Sequence, residues 1–180
     1  MENRAVFLDR DGVLNIAFVR HGKPYPPLRI QELVIMPGII TALRNLKSAG
    51  FILIVVTNQP DVSRGLISIK DVELINSELK KFLPVDEFKS CFHDDRDHCF
   101  CRKPLPGALM QASIEHKINL KESYMVGDRW RDIAAGRAAG CKTIFIDYGY
   151  KEERPEKPDF VLANAAEIDK LILKDAYEKY

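Results

Sequence analysis

Val6-Phe7-Leu8-Asp9-Arg10-Asp11-Gly12-Val13 joins a short uncharged run to two carboxylates one residue apart, with a glycine behind them. Ala5 to Leu8 carries no charge and reads as a buried strand. In extended backbone, residues i and i+2 point to the same side. Asp9 and Asp11 are therefore expected to face one point at the carboxyl end of that strand. Open α/β sheets hold their ligands at that end.

The chain beyond this start alternates strand and helix. Pro37-Gly38 opens a helix whose apolar face is Ile39, Leu43 and Leu46, and Gly50 closes it. Phe51 to Val56 is apolar throughout, which predicts a strand buried on both faces, ending at Thr57-Asn58. Ser68 and Asp71 form a capping box ahead of a helix with Val72, Ile75, Leu79 and Phe82 on one face. Further strands are expected at 88–92, 124–126, 143–146 and 160–162, and a short one at 33–36. Helices are expected at 108–116 and 129–139, the latter capped by Asp128, and a last one carries Ile168, Leu171 and Ile172. Gly22, Pro24, Pro26 and Pro27 make 15–33 an irregular loop at the mouth of the site. The pattern predicts an α/β fold, a doubly wound parallel (Rossmann-like) sheet, as one domain over 1–180. There is no room for a large cap domain.

The chain has 180 residues, 46% hydrophobic and 29% charged, with a formal net charge of +1. No whole-molecule field draws it to nucleic acid or to an anionic membrane. Phe51 to Val56, its longest apolar run, is far too short to span a bilayer. The first residues show no signal peptide. A cytoplasmic monomer acting on a small molecule is the expectation.

At the carboxyl edge of such a sheet, Asp9, Asp11, Thr57, Asn58 and Asp128 converge, with Arg102-Lys103 arriving on a loop from the same side. Carboxylates, a hydroxyl, an amide and cations suit metal-assisted phosphoryl transfer. Asp9-Arg-Asp-Gly-Val13, Thr57-Asn58, Lys103 and Gly127-Asp128-x-x-x-Asp132 resemble the four motifs of the haloacid dehalogenase-like phosphohydrolases, in order and over nearly the whole chain. That resemblance implies Asp9 as nucleophile and Asp11 as general acid and then base. It implies Thr57 and Lys103 as holders of the phosphoryl oxygens. Mg²⁺ would sit on Asp9, the Asp11 backbone carbonyl and Asp128. Asp132 is either a further metal contact or a supporting charge one helical turn on.

Cys91-x-His93-x5-Cys99-x-Cys101 runs straight into Arg102-Lys103-Pro104. Thiolates and an imidazole suit tetrahedral Zn²⁺, and a closed set of four reads as structural. His98 could replace His93, though pairing at two-residue spacing favours His93. Cys141 reads as core. A zinc clamp here would fix the loop so that Arg102 and Lys103 both point at the phosphate. The loop resembles the zinc-containing capless branch of the superfamily, which includes heptose bisphosphate phosphatases and histidinol-phosphate phosphatases. Thr57-Asn58-Gln59 with Arg64-Gly65 resembles the heptose enzymes, with Pro60-Asp61 as a departure, whereas the five-residue loop 94–98 occurs in the histidinol type. Asn58, Gln59, Arg64 and Arg102 are expected at the substrate. A second phosphate suits an arginine fork. The activity so implied is removal of the 7-phosphate of a heptose 1,7-bisphosphate in nucleotide-activated heptose synthesis.

Overall fold

A computed structural model describes residues 2–177. Five helices and eight strands follow in chain order: β1 (Ala5–Leu8), β2 (Phe18–Arg20), β3 (Lys23–Tyr25), α1 (Ile39–Ser48), β4 (Ile52–Asn58), α2 (Ile69–Phe82) and β5 (Glu87–Cys91). They continue with α3 (Gly107–His116), β6 (Tyr124–Gly127), α4 (Trp130–Ala139), β7 (Lys142–Ile146), β8 (Phe160–Leu162) and α5 (Ile168–Tyr177). Six strands form one sheet in the order β5-β4-β1-β6-β7-β8, and every pairing in it is parallel. Counted among the sheet strands alone, this is the order 3-2-1-4-5-6. Its direction reverses between β1 and β6, and the crevice at such a switch point is where doubly wound sheets bind ligands.

Strand alternation divides the core between two faces. Val6 and Leu8 of β1 pack with Leu43, Ile75 and Ile168 from α1, α2 and α5. Ala5 and Phe7 pack with Leu109 and Ala135 from α3 and α4. A sheet covered on both sides needs uninterrupted apolar strands, and β1 and the core of β4 supply them. Cys141 lies in the second cluster, as expected for a core residue. No helix among the described residues is long and apolar enough to cross a membrane.

Four local expectations are corrected. Residues 18–25 are an antiparallel hairpin rather than a loop, with register pairs Phe18–Tyr25, Val19–Pro24 and Arg20–Lys23. Proline is tolerated there because a two-stranded ribbon leaves edge positions that need no N–H donor. The stretch 33–36 makes only an isolated antiparallel bridge, Asn15 with Ile35. Phe82 is 52% exposed, at the last turn of α2. Asp128 does not cap α4: Arg129 takes the N-cap position, and its N–H donates to Asp132 Oδ2 at 3.0 Å. That leaves the Asp128 carboxylate unused by the helix.

Candidate active site

The ends of β1 and β6 bring the expected carboxylates together. Oxygen atoms of Asp9, Asp128 and Asp132 lie within 4.8 Å of one another, and all three residues are buried. The Asp9 N–H donates to the Val126 carbonyl at 2.9 Å, which ties the first motif to β6. Gly12, at φ +93°, lets the chain turn beneath Asp128. A Cβ there would lie 1.9 Å from Asp128 Oδ2. Gly12→Ala is therefore expected to displace Asp128 and to cost about 2 kcal/mol or more from the positive φ and the overlap together. A urea unfolding midpoint unchanged from the parent protein would contradict this.

Lys103 enters from the cysteine loop and is buried to 2% exposure. Its Nζ meets Asp9 Oδ1 at 2.8 Å, Asp132 Oδ1 at 2.6 Å and the Val56 carbonyl at 2.6 Å. Its peptide is held in place by Asn58. The Lys103 N–H donates to Asn58 Oδ1 at 3.1 Å, and Asn58 Nδ2 donates to the Lys103 carbonyl at 2.9 Å. Three carboxylates facing one ammonium leave two uncompensated negative charges when all are ionised. Burial, opposed by Lys103 and reinforced by Asp132 and Asp11, pushes Asp9 up to about 6. Burial and the neighbouring Asp9 and Asp132 charges raise Asp128 as well. Both carboxylate oxygens of Asp128 are buried without a hydrogen bond of normal geometry. An all-oxygen, electron-rich pocket of this kind fits a hard divalent cation.

Asp11 is held differently. Arg10 forks it, Nε to Oδ1 at 3.1 Å and Nη2 to Oδ2 at 3.0 Å. Asn15 Nδ2 donates to Oδ1 at 3.0 Å and Gln59 Nε2 to Oδ2 at 2.8 Å. Arg10 is wholly buried, and its Nη1 donates to Asn76 Oδ1 at 3.1 Å, while Asn76 Nδ2 donates to Ser90 Oγ at 3.1 Å. This arginine was missed in the sequence. Its signal was the alternation: position 10 shares the parity of Val6 and Leu8, which face α2. Gln59 also donates to Thr57 Oγ1 at 2.9 Å, so it positions two neighbours and is itself 1% exposed.

The cysteine loop closes on itself. Sγ of Cys91, Cys99 and Cys101 lie 3.4–3.7 Å apart, and His93 Nδ1 lies 3.6 Å from Cys91 Sγ and 3.5 Å from Cys101 Sγ. A tetrahedral ion at ordinary thiolate distances needs S···S edges of about 3.8 Å, so the four groups fit a metal-binding cluster. His98 stands outside it, at the end of a 3-10 turn with φ 47°. Acidic residues of the loop dock on arginines. Arg64 forks Asp94 through Nε and Nη2, both at 2.9 Å, and holds its carboxyl well below the usual range. Arg102 Nε binds Asp95 Oδ1 at 2.9 Å and its Nη1 binds the His93 carbonyl at 3.2 Å. Arg102 is 8% exposed, so Lys103 points at the carboxylates while Arg102 staples the loop. Its cation has a carboxylate seven residues back in the loop as partner, which spacing along the sequence could not reveal.

Above these groups lies a cleft of about 540 Å³, within the usual range for small-molecule sites. Asp9, Asp11 and Lys103 form its floor, and Arg64 and the 18–25 hairpin contribute walls. A family model described as HAD-hydrolase-like matches residues 100–168. The D-glycero-β-D-manno-heptose-1,7-bisphosphate 7-phosphatase of Helicobacter pylori is 36% identical over 150 residues, covering 80% of this chain and 83% of its own. The Escherichia coli K12 enzyme of the same name is 35% identical over 185 residues, covering 94% of each. The chain belongs to the HAD-like heptose-bisphosphate phosphatase family. A solved member of this family, D,D-heptose 1,7-bisphosphate phosphatase from B. bronchiseptica complexed with magnesium and phosphate, superposes with a TM-score of 0.78 at 26% identity. The match covers 96% of this chain and 99% of that one. The buried triad and Lys103 sit at the sheet's switch point, with the hairpin along one wall of the cleft.

Proposed function

We propose that the chain is a Mg²⁺-dependent phosphatase that removes the 7-phosphate of D-glycero-D-manno-heptose 1,7-bisphosphate through an aspartyl-phosphate on Asp9. The observation that carries this reading is the buried Asp9–Lys103–Asp132 contact at the floor of a cleft large enough for a sugar bisphosphate. Asp9 attacks phosphorus, and the C7 oxygen leaves with a proton from Asp11. Asp11 then takes a proton from the water that cleaves the acyl phosphate. To carry the first proton, Asp11 turns one oxygen off the Arg10 fork and toward the leaving oxygen. Lys103 and Thr57 bind the phosphoryl oxygens. Mg²⁺, held by Asp9, Asp128 and the Asp11 carbonyl, would neutralise charge on the transferring group. Asp132 orients Lys103 and completes the acidic pocket.

Zn²⁺ at Cys91, His93, Cys99 and Cys101 is the structural metal in this reading, supported by the closed sulfur–nitrogen cluster. It organises the segment that ends in Lys103. The substrate is a small phosphorylated sugar, and neither nucleic acid nor a membrane takes part.

Side-by-side turnover tests the substrate. Both anomers of heptose 1,7-bisphosphate and histidinol phosphate are assayed with Mg²⁺. The expected result is a kcat/KM at least about 100-fold higher for one of the bisphosphate anomers, since two phosphates contribute charge-assisted bonds. A preference for histidinol phosphate would overturn the assignment.

A further inference from the structure

Arg10 stands between the two carboxylates of the first motif, and its side chain is wholly buried. The sheet face it shares is otherwise apolar, with Val6 and Leu8 packed against Ile75 of α2. A guanidinium in such a place is costly unless it is paired and hydrogen-bonded. An apolar side chain would fill the same space without that cost. Among the described residues the ion-pair partner of Arg10 is Asp11, its neighbour in sequence. The core does not call for this charge; Asp11 does.

The bonds run in a line from the sheet to that carboxylate. Ser90 of β5 is the register partner of Thr57. Its Oγ accepts from Asn76 Nδ2, and Asn76 Oδ1 accepts from Arg10 Nη1, both at 3.1 Å. Arg10 Nε then lies 3.1 Å from Asp11 Oδ1 and 3.2 Å from Oδ2, while Nη2 meets Oδ2 at 3.0 Å. A fork of this kind fixes the plane of a carboxyl group as well as its place. Because Nε reaches both oxygens, it keeps one of them when the other turns toward the leaving group. The backbone is held too. The Arg10 carbonyl accepts from the Leu14 N–H at 2.8 Å and from the Asn15 N–H at 3.2 Å, which closes the turn that carries Asp11.

We infer that Arg10, braced from behind by Asn76 and Ser90, is a positioning residue that acts through Asp11: it is the pivot on which the acid–base carboxyl swings over the phosphoryl site. This rests on the aspartyl-phosphate reading above and extends the proton-transfer apparatus from the cleft to α2 and β5. Being wholly buried, Arg10 reaches substrate only through Asp11. It keeps its own protons throughout. The proton that moves passes from Asp11 to the C7 oxygen, and later from water to Asp11.

The test is a double-mutant cycle on the zinc- and magnesium-loaded enzyme, with Arg10→Met, Asp11→Asn and both together, assayed on the preferred anomer of heptose 1,7-bisphosphate. Methionine keeps much of the side chain's length and removes its charge and its donors. Arg10→Met is expected to lower kcat about 100-fold with KM within about threefold of the parent. In the Asp11→Asn background the same change should cost no more than about threefold, because the group it positions is gone. An aryl phosphate gives a second reading, since nitrophenolate leaves without a proton. With enzyme in excess, the first turnover of p-nitrophenyl phosphate by Arg10→Met should stay within about threefold of the parent rate. Equal losses in both backgrounds, equal losses on the two substrates, or an unchanged kcat in folded Arg10→Met would each overturn the role. If Arg10→Met does not fold, Asn76→Leu breaks the line one bond further back. The same pattern is then expected at about 10-fold, and an unchanged kcat there would equally overturn it. A parent-like kcat for Asp11→Asn is a separate result: it removes Asp11 as acid and base, and the pivot with it.

Discussion

Asp9→Asn is expected to abolish phosphate release, by at least about 10⁴-fold, in a protein that remains folded. The amide keeps the size of the side chain and loses the nucleophilic charge. Its structural consequence runs the other way. Asp9 shares a buried pocket with Asp128 and Asp132, and burial lifts its pKa from 3.8 to about 6. A carboxyl whose folded pKa is raised binds its proton more tightly in the native state. Metal-free wild-type protein therefore loses stability as pH rises from about 4 through 6, and the asparagine variant escapes that loss. Lys103 keeps Asp132 as a partner in either case. Thermal melts without divalent metal should show the variant at or above the parent Tm at pH 7.5, with the gap closing near pH 4. Turnover above about 1% of the parent rate would remove Asp9 as nucleophile.

The second large effect concerns the cysteine cluster. Cys99→Ser should lower Tm by roughly 10 °C, the equivalent of about 3 kcal/mol for a chain of this size. The loop has little else to hold it: Phe100 is 59% exposed, Asp94 and Asp95 rely on Arg64 and Arg102, and Asp97 on the Ser63 hydroxyl. Activity should fall with stability, because Cys101 stands two residues before Lys103 and fixes the approach of its ammonium. A drop of about 100-fold in kcat is expected from that misplacement. Chelation of the parent protein followed by Mg²⁺ alone should reproduce both losses, and Zn²⁺ should reverse them. Freshly purified protein free of zinc by elemental analysis, together with an unchanged Tm for Cys99→Ser, would refute the structural metal.

What could be read from the sequence follows from what is periodic or clustered. The strands Ala5–Leu8 and Ile52–Asn58 announce themselves because burial on both faces demands apolar runs. The carboxylates and Lys103 were legible because each stands at the end of such a run or after a compact cysteine pattern. The hairpin 18–25 was not. Its strand residues are largely exposed, so no core dictates their pattern, and Gly22 and Pro24 read as interruptions. The partners of Arg64 and Arg102 were equally invisible, since an ion pair across 30 or 7 residues leaves no spacing signature. Asp128 as a helix cap was a reasonable local reading. It lost to Asp132, whose second oxygen is simultaneously committed to Lys103.

The hairpin forms its own two-stranded sheet and pairs with none of the six strands whose carboxyl ends lead into Asp9 and Asp128. The floor of the cleft and this part of its wall thus belong to separately paired pieces of backbone. Exchanges at exposed hairpin positions should shift folding stability by no more than about 0.5 kcal/mol, while changing what the cleft admits. Substitutions within these eight residues can therefore reshape the cleft wall while the pairing of the six-stranded sheet stays as it is.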